Sequence, residues 1–350
     1  MTQCDHAGVP RHVAALSAFQ AEGGATVAVA GPARLRVADG VAHQTWTARS
    51  APFVDPRELT SLSRIITGFA PDVVHLHSSK AGLVGRLLVR GRLPTVFTPH
   101  AWSFVREGPS RCGARAWERW AARWTTVVLT LNVDEVASTQ TFGWQRPPVM
   151  ISNGVDVASW APADAVSRER ARRHLGLDPD VPVALCVGRL VHQKGQLDLA
   201  RRWEVVRATV PDATLVLVGD GPHQSTIAAL RAPGVLLAGS TDRVWPWYAA
   251  ADVCAQPSRW EGMSYATLEA MASGVPVVAF DVGGMRHALG DGRHVVEPGD
   301  HTRFAEAVSE LLRDGATRAD LGARNRTRAV TEFDERPQLE AIDRVVRALV

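Results

Sequence analysis

Short apolar runs alternate with longer stretches whose apolar positions recur with a helical period, and the alternation continues along nearly the whole chain. A strand buried on both faces reads as an unbroken run, so this order predicts parallel sheets covered by helices. In the first half the runs fall at residues 26–30, 73–77, 95–98 and 127–131, with an amphipathic helix over 11–20. A second set falls at 183–187, 214–218, 234–237, 253–256 and 275–280, Val-rich and flanked by Gly or Pro as in doubly wound sheets. Between the two sets, Pro162, Pro179 and Pro182 bracket an Arg-rich helical segment, which places a linker near residues 153–162. The expectation is an α/β chain of two doubly wound, Rossmann-like domains, 1–155 and 156–335, with a last helix over 336–350 placed to pack back toward the first.

The first block departs from this plan at its start. A doubly wound domain opens with a central strand, whereas Met1-Thr2-Gln3-Cys4-Asp5-His6 leads almost at once into helix. The first strand is therefore expected to be missing and the true start to lie upstream, because its loss uncovers apolar surface and ladder groups of its neighbours.

Composition narrows the class. A chain of 350 residues exceeds the usual single core, and 46% apolar with 21% charged residues excludes a disordered chain. The 39 Lys and Arg against 36 Asp and Glu leave a net charge of +3, with Arg scattered rather than in runs. That argues against nucleic acid and is compatible with an anionic small molecule or a membrane surface. Cys4, Cys112, Cys186 and Cys254 show no C-x-x-C spacing, and the last two lie in apolar runs, as reduced structural thiols do. No run is long enough to span a membrane and no secretion signal is recognisable, so a cytoplasmic location is expected.

Chemistry concentrates in three places. Residues 260–278 read as a loop, a short helix from Tyr265 and a buried strand. Gly262, Met263 and Ser264 leave backbone N–H groups free at the helix start, where the dipole favours a diphosphate, and Ser264 is an N-cap candidate. With the helix extended backwards, Glu261 and Glu269 fall about 80° apart around its axis and roughly 12 Å along it, a span that suits the two ends of a nucleotide sugar. The second place is Gly188-Arg189-Leu190-Val191-His192-Gln193-Lys194-Gly195, directly after a strand. Two cations at that spacing can straddle a diphosphate leaving group and take up its charge, and no Asp-x-Asp element for a metal is found. The third is a pair of strand ends, with His75 and His77 on one and His100 on the other. Plainer readings stand beside these: Glu261 as a cap and Glu269 as a solvated charge, residues 188–195 as a surface turn, His75 and His77 as core.

The glutamate element, followed by Glu269-Ala270-Met271-Ala272-Ser273-Gly274-Val275-Pro276-Val277-Val278, resembles the retaining glycosyltransferases of the GT-B fold, specifically glycosyltransferase family 4. Residues 188–195 resemble the family's G-R-x-x-x-x-K-G loop, residues 98–104 and 72–82 its histidine landmarks, and residues 151–156 its N-G-V-D hinge. The resemblance runs in the family's order from Gly8 to about Leu312. It implies two facing Rossmann-like domains, with acceptor side first and donor side second. Glu261 would contact donor-sugar hydroxyls, Glu269 the ribose, and His100 the sugar near the reaction centre. Arg189 and Lys194 would hold the diphosphate while an acceptor hydroxyl enters on the same face and passes its proton to the departing phosphate. No cofactor or metal would be needed. Residues 8–12 resemble the entrance loop that brings N–H groups to the donor phosphate, with Gly8 kept and Ala7 where a second glycine stands in the family. Met285, Arg286 and His287 replace the family's x-P-E after Gly283-Gly284, beside the implied donor pocket.

Trp117, Trp120 and Trp124 recur at helical spacing among Arg115, Arg119 and Arg123, readable as a core-facing stripe or as a helix resting on an anionic membrane; the first is expected. The function expected overall is metal-independent, retaining sugar transfer from a nucleotide diphosphate sugar to a glycan, lipid-linked or small-molecule hydroxyl, as in polysaccharide biosynthesis. The alternatives are a nucleotide-sugar 2-epimerase of the same fold, and a degenerate binder without turnover.

Overall fold

Mostly apolar four-residue runs such as Thr95–Thr98 and Val127–Thr130 can bury both faces only between layers of helix, and the computed structural model builds such layers twice. It describes residues 1–4, 8–48, 54–105, 111–142, 144 and 146–350; Ala7 lies outside them. The chain divides into one unit of Met1–Asn153 with Arg336–Val350 and a second of Gly154–Glu335.

In the first unit the strands are β1 (Ala28–Gly31), β2 (Ala42–Thr45), β3 (Val74–His77), β4 (Thr95–Thr98), β5 (Val127–Thr130) and β6 (Val149–Met150). All pairings are parallel, in two sheets ordered β1-β2 and β3-β4-β5-β6. Between β1 and β3 sit the first two residues of the chain: the Thr2 N–H donates to Ala30 O at 3.0 Å, and the His77 N–H donates to Met1 O at 2.9 Å. Met1 and Thr2 thus occupy the place between β1 and β3. Helix Pro56–Phe69 opens on a capping box, Asp55 accepting from the Arg57 N–H and Glu58 reaching back to the Asp55 N–H. The last helix, Glu335–Arg347, buries Leu339 and Ile342 beside Leu16, Val96, Leu129 and Ile151 of this unit.

Helix Arg111–Ala121 corrects the expected tryptophan stripe. It buries Glu118, paired with the buried Arg86 at 2.8 Å, and Ala121. The three indoles instead pack on one another, 4.3–6.3 Å between ring centroids, with Trp120 42% exposed. The core position on this helix goes to a buried ion pair, and the rings on the neighbouring face shield each other.

The second unit has β7 (Val183–Val187), β8 (Thr214–Val218), β9 (Val235–Gly239), β10 (Val253–Gln256), β11 (Val277–Phe280) and β12 (Val295–Val296) in one parallel sheet ordered β12-β11-β10-β7-β8-β9. Its core joins Leu185's neighbours Ala184 and Cys186 to Trp203, Leu215, Val278 and Phe304. The chain winds outward from β7 through β8 to β9, then crosses back to β10 on the other side of β7. Strand order therefore reverses between β7 and β10, the place where open α/β sheets bind ligands at their C-terminal ends. No helix among the described residues is long and apolar enough to cross a membrane.

Candidate active site

The loops leaving β7 and β10 meet at that reversal. After β7 the chain turns through Gly188 to Gly195, held from inside by the Gln196 amide, which donates to Gly188 O (3.2 Å) and Arg189 O (2.9 Å). The Arg259 N–H donates to Gln193 O at 2.7 Å, and Gln193 Nε2 donates to Trp260 O at 2.9 Å, which locks this loop to the one after β10. Gly195 is required at the crossing: its φ is +70°, and a Cβ there would stand 2.0 Å from Pro257 O.

This interlock places Lys194 Nζ 2.5 Å from Glu261 Oε1, with side chains 16% and 9% exposed. Two residues singled out in separate motifs are thereby one ion pair. Arg189, on the same loop, is exposed and has no acidic partner among the described residues, so its guanidinium is available to an anion.

Glu261 does not continue the helix backwards. Tyr265–Ala272 begins after Ser264, whose backbone is extended and whose hydroxyl accepts from the Thr267 N–H at 3.3 Å. The Gly284 N–H donates to Gly262 O at 2.7 Å, and Gly283, at φ +54°, passes so close that a Cβ would lie 2.1 Å from Glu261 O. The Gly283-Gly284 turn thus fixes Glu261 in a loop, and the helical spacing argument does not describe it. Gly262, Met263 and Ser264 are buried at the helix start. Glu269 is 8% exposed, with the Tyr248 hydroxyl 3.1 Å from its Oε2, so it is not the solvated charge of the plainer reading. Arg286 pairs with Asp281 and, at 3.0 Å, with Asp291, while Met285 is buried with its sulfur 3.4 Å from the Thr267 hydroxyl.

In the first unit, His77 Nδ1 and His100 Nε2 are 3.1 Å apart, one donating and the other accepting. His75 Nε2 is bonded to the Thr98 hydroxyl at 2.8 Å. His12, from helix Gly8–Glu22, brings its ring to 5.0 Å from His100 and 5.4 Å from His77. Burial pushes the His12 imidazole down to about 4. It holds His75, His77 and His100 well below their usual range too, neighbouring rings adding to the effect. All four rings are neutral at pH 7. Nitrogens of His12, His77 and His100 lie within 4.8 Å of one another, the one set among the described residues spaced to hold a metal ion. His77 is buried, as the core reading expects, and bonds His100 as well; His12 belongs to the entrance motif of residues 8–12, which carries no signal that sets it beside His100.

Glu135 is a second residue without a sequence signal. Its Oε1 accepts from the Ala101 N–H and its Oε2 from the Leu131 N–H, both at 2.8 Å. It thereby braces His100 and Ala101, whose φ values of 51° and 79° are left-handed for residues that carry a Cβ. Burial pushes the Glu135 carboxyl up to about 7 against the pull of those two donors. The cysteines are free, and burial raises the Cys254 thiol to about 12, as inert thiols behave.

Comparison with known proteins gives the family and the fold. Residues 6–159 match the family described as Glycosyltransferase Family 4, and residues 181–314 match Glycosyl transferases group 1. The chain is 30% identical over 298 residues to the alpha-maltose-1-phosphate synthase of Mycobacterium tuberculosis, covering 75% of this chain and 76% of that protein. It is 35% identical over 196 residues to a GDP-mannose-dependent monoacylated alpha-(1-6)-phosphatidylinositol monomannoside mannosyltransferase of Corynebacterium glutamicum, spanning about half of each, 52% and 51%. Among solved structures, Anabaena HepE in complex with UDP-glucose superposes with a TM-score of 0.80 at 20% identity, over 99% of this chain and 98% of that one.

Proposed function

The chain belongs to glycosyltransferase family 4 and has the GT-B fold, and on that premise we propose that it moves a sugar, with retention of configuration and without a metal, from a nucleotide diphosphate sugar to an acceptor hydroxyl. The observation that carries this reading is the Lys194–Glu261 ion pair, with Arg189 on the same loop and without an acidic partner among the described residues, and with the helix start at Ser264 three residues after Glu261. Lys194 and Arg189 supply positive charge where the bond from anomeric carbon to phosphate oxygen breaks and the electron pair leaves with the diphosphate. The Gly262-Met263-Ser264 backbone offers N–H groups to the same phosphates. Glu261, held by Lys194, accepts hydrogen bonds from donor-sugar hydroxyls. Glu269, oriented by Tyr248, takes the ribose.

The acceptor oxygen then bonds to the anomeric carbon on the face the diphosphate leaves, and its proton passes to a phosphate oxygen. His100 is assigned a sugar hydroxyl. Bonded to His77, and with burial and neighbouring rings holding its imidazole well below the usual range, it is a weak base that can orient that group without competing for the acceptor's proton. The relatives named above support a nucleotide sugar as donor and a glycan or lipid-linked hydroxyl as acceptor. Proton NMR of the product tests the reading. An anomeric linkage of the donor's configuration, formed equally with and without EDTA and only when acceptor is present, is expected. An inverted linkage, or donor isomerised without acceptor, would overturn it.

A further inference from the structure

Three histidines of the first unit converge from separate elements: His77 closes β3, His100 follows β4, and His12 lies on helix Gly8–Glu22. His77 Nδ1 and His100 Nε2 are 3.1 Å apart, and one nitrogen from each of the three rings falls within 4.8 Å of the other two. Three points so spaced share a centre within about 2.8 Å of each, so ring shifts below about 1 Å bring all three to the roughly 2.0–2.1 Å of a zinc–imidazole bond. Two nitrogens on a tetrahedral ion stand about 3.3 Å apart, close to the His77–His100 separation already present. The rings are also held in place by their surroundings. The β3–β4 register pairs His77 with Thr98, two residues before His100, and Glu135 braces the His100 turn through the Ala101 N–H. His75 lies against His77 at 3.9 Å between ring centroids, its own Nε2 bonded to the Thr98 hydroxyl. Outer contacts of this kind keep a ligand set together, which a loose surface cluster lacks.

His12 and His77 are buried whereas His100 is half-buried, so solvent reaches the cluster from the His100 side. An ion held by the three nitrogens has its fourth position there, as an open zinc site does. We propose that His12, His77 and His100 bind one divalent ion of the zinc class, and that the bound ion blocks sugar transfer by occupying His100 Nε2. The donor set selects the ion. Imidazole suits zinc, nickel and copper, whereas magnesium takes an octahedron of oxygens and is not held here. The ion is an inhibitor and has no part in making or breaking the glycosidic bond. The block rests on the assignment of His100 to a sugar hydroxyl under the function proposed above; binding of the ion does not depend on it.

The test first titrates the metal-free chain with Co²⁺ and with Zn²⁺, without nucleotide sugar. One ion per chain is expected, with the intense visible absorption of four-coordinate Co²⁺ and a zinc dissociation constant of about 10 μM or below. His12→Gln and His77→Gln, on different elements, should each abolish the absorption and weaken zinc by about 100-fold, the upper end of what loss of an outer partner costs. The exposed His174, outside the cluster, serves as control, and His174→Gln should change neither. Circular dichroism checks that each variant is folded. No absorption from the parent, or equal zinc affinity in the parent and both cluster variants, would overturn the proposal. Transfer rates then read the block, each protein being compared with its own zinc-free rate. Parent turnover should fall about tenfold at zinc ten times its dissociation constant and recover with EDTA, whereas the same zinc should leave the His12→Gln rate unchanged. Zinc held by the three rings with parent turnover intact would overturn the block and fault the assignment of His100 to the sugar.

Discussion

Replacing Lys194 by methionine keeps a long side chain over Gly188 but removes the ammonium that faces Glu261. Breaking a fully buried pair in this way costs about 3–5 kcal/mol, because the surviving charge is left without a partner. Here the two side chains are 16% and 9% exposed, so water reaches the carboxylate in part and the expected loss falls to roughly 1–3 kcal/mol. Turnover should fall further, by about 10²–10³, if Lys194 takes charge from the leaving diphosphate as proposed. The double variant Lys194→Met with Glu261→Gln separates the two effects. It removes both charges, so the second unit should regain stability to within about 1 kcal/mol of the parent, while turnover stays low. Urea unfolding followed through Trp260, beside the pair, and initial rates with nucleotide sugar measure both quantities. A double variant that recovers turnover along with stability would show that the pair is structural alone, and the reasoning would fail.

Gly195→Ala forces a Cβ against Pro257 O at φ +70°, and should cost about 1–3 kcal/mol in unfolding with at least a tenfold loss in donor affinity, as calorimetry would read. The His12 imidazole is pushed from 6.5 down to about 4 in the folded chain, so its contribution to stability is present above pH 6.5 and is lost as pH falls toward 4. That share is roughly 3 kcal/mol, and His12→Phe should flatten this arm of a stability profile measured from pH 7.5 to 4. Glu135→Gln leaves one of the Ala101 and Leu131 N–H groups facing an amide N–H instead of an oxygen. It should destabilise the first unit by about 1–3 kcal/mol, and lower kcat more than donor affinity because the His100 turn loses its brace.

The parts of the fold that were legible in the sequence are those whose burial writes itself as an unbroken apolar run. β7, β8 and β10 coincide with their runs residue for residue, since each lies inside a sheet covered on both faces. β2, with the sequence Ala-His-Gln-Thr, is mostly exposed and carries no such run, and β6 and β12 are two residues each, too short for any period. Met1 and Thr2 hold a sheet position through backbone bonds alone, which residue types do not encode. At the site, the motifs named Lys194 and Glu261, but their ion pair depends on the Gly195–Pro257 and Glu261–Gly283 crossings, which join segments far apart in sequence. Alternation along β3 favoured a core role for His77, and that held for its burial; its bond to His100 depends on a left-handed turn braced by Glu135 from another helix.

The central claim is that cations of the β7 loop grip a diphosphate. Titration calorimetry of UDP and GDP into the parent chain and Arg189→Ala, each with magnesium and with EDTA, tests it most directly. The account predicts binding of at least one nucleotide that is indifferent to magnesium and weakened about tenfold or more in the variant. Unchanged affinity in Arg189→Ala, or binding that vanishes in EDTA, would contradict it.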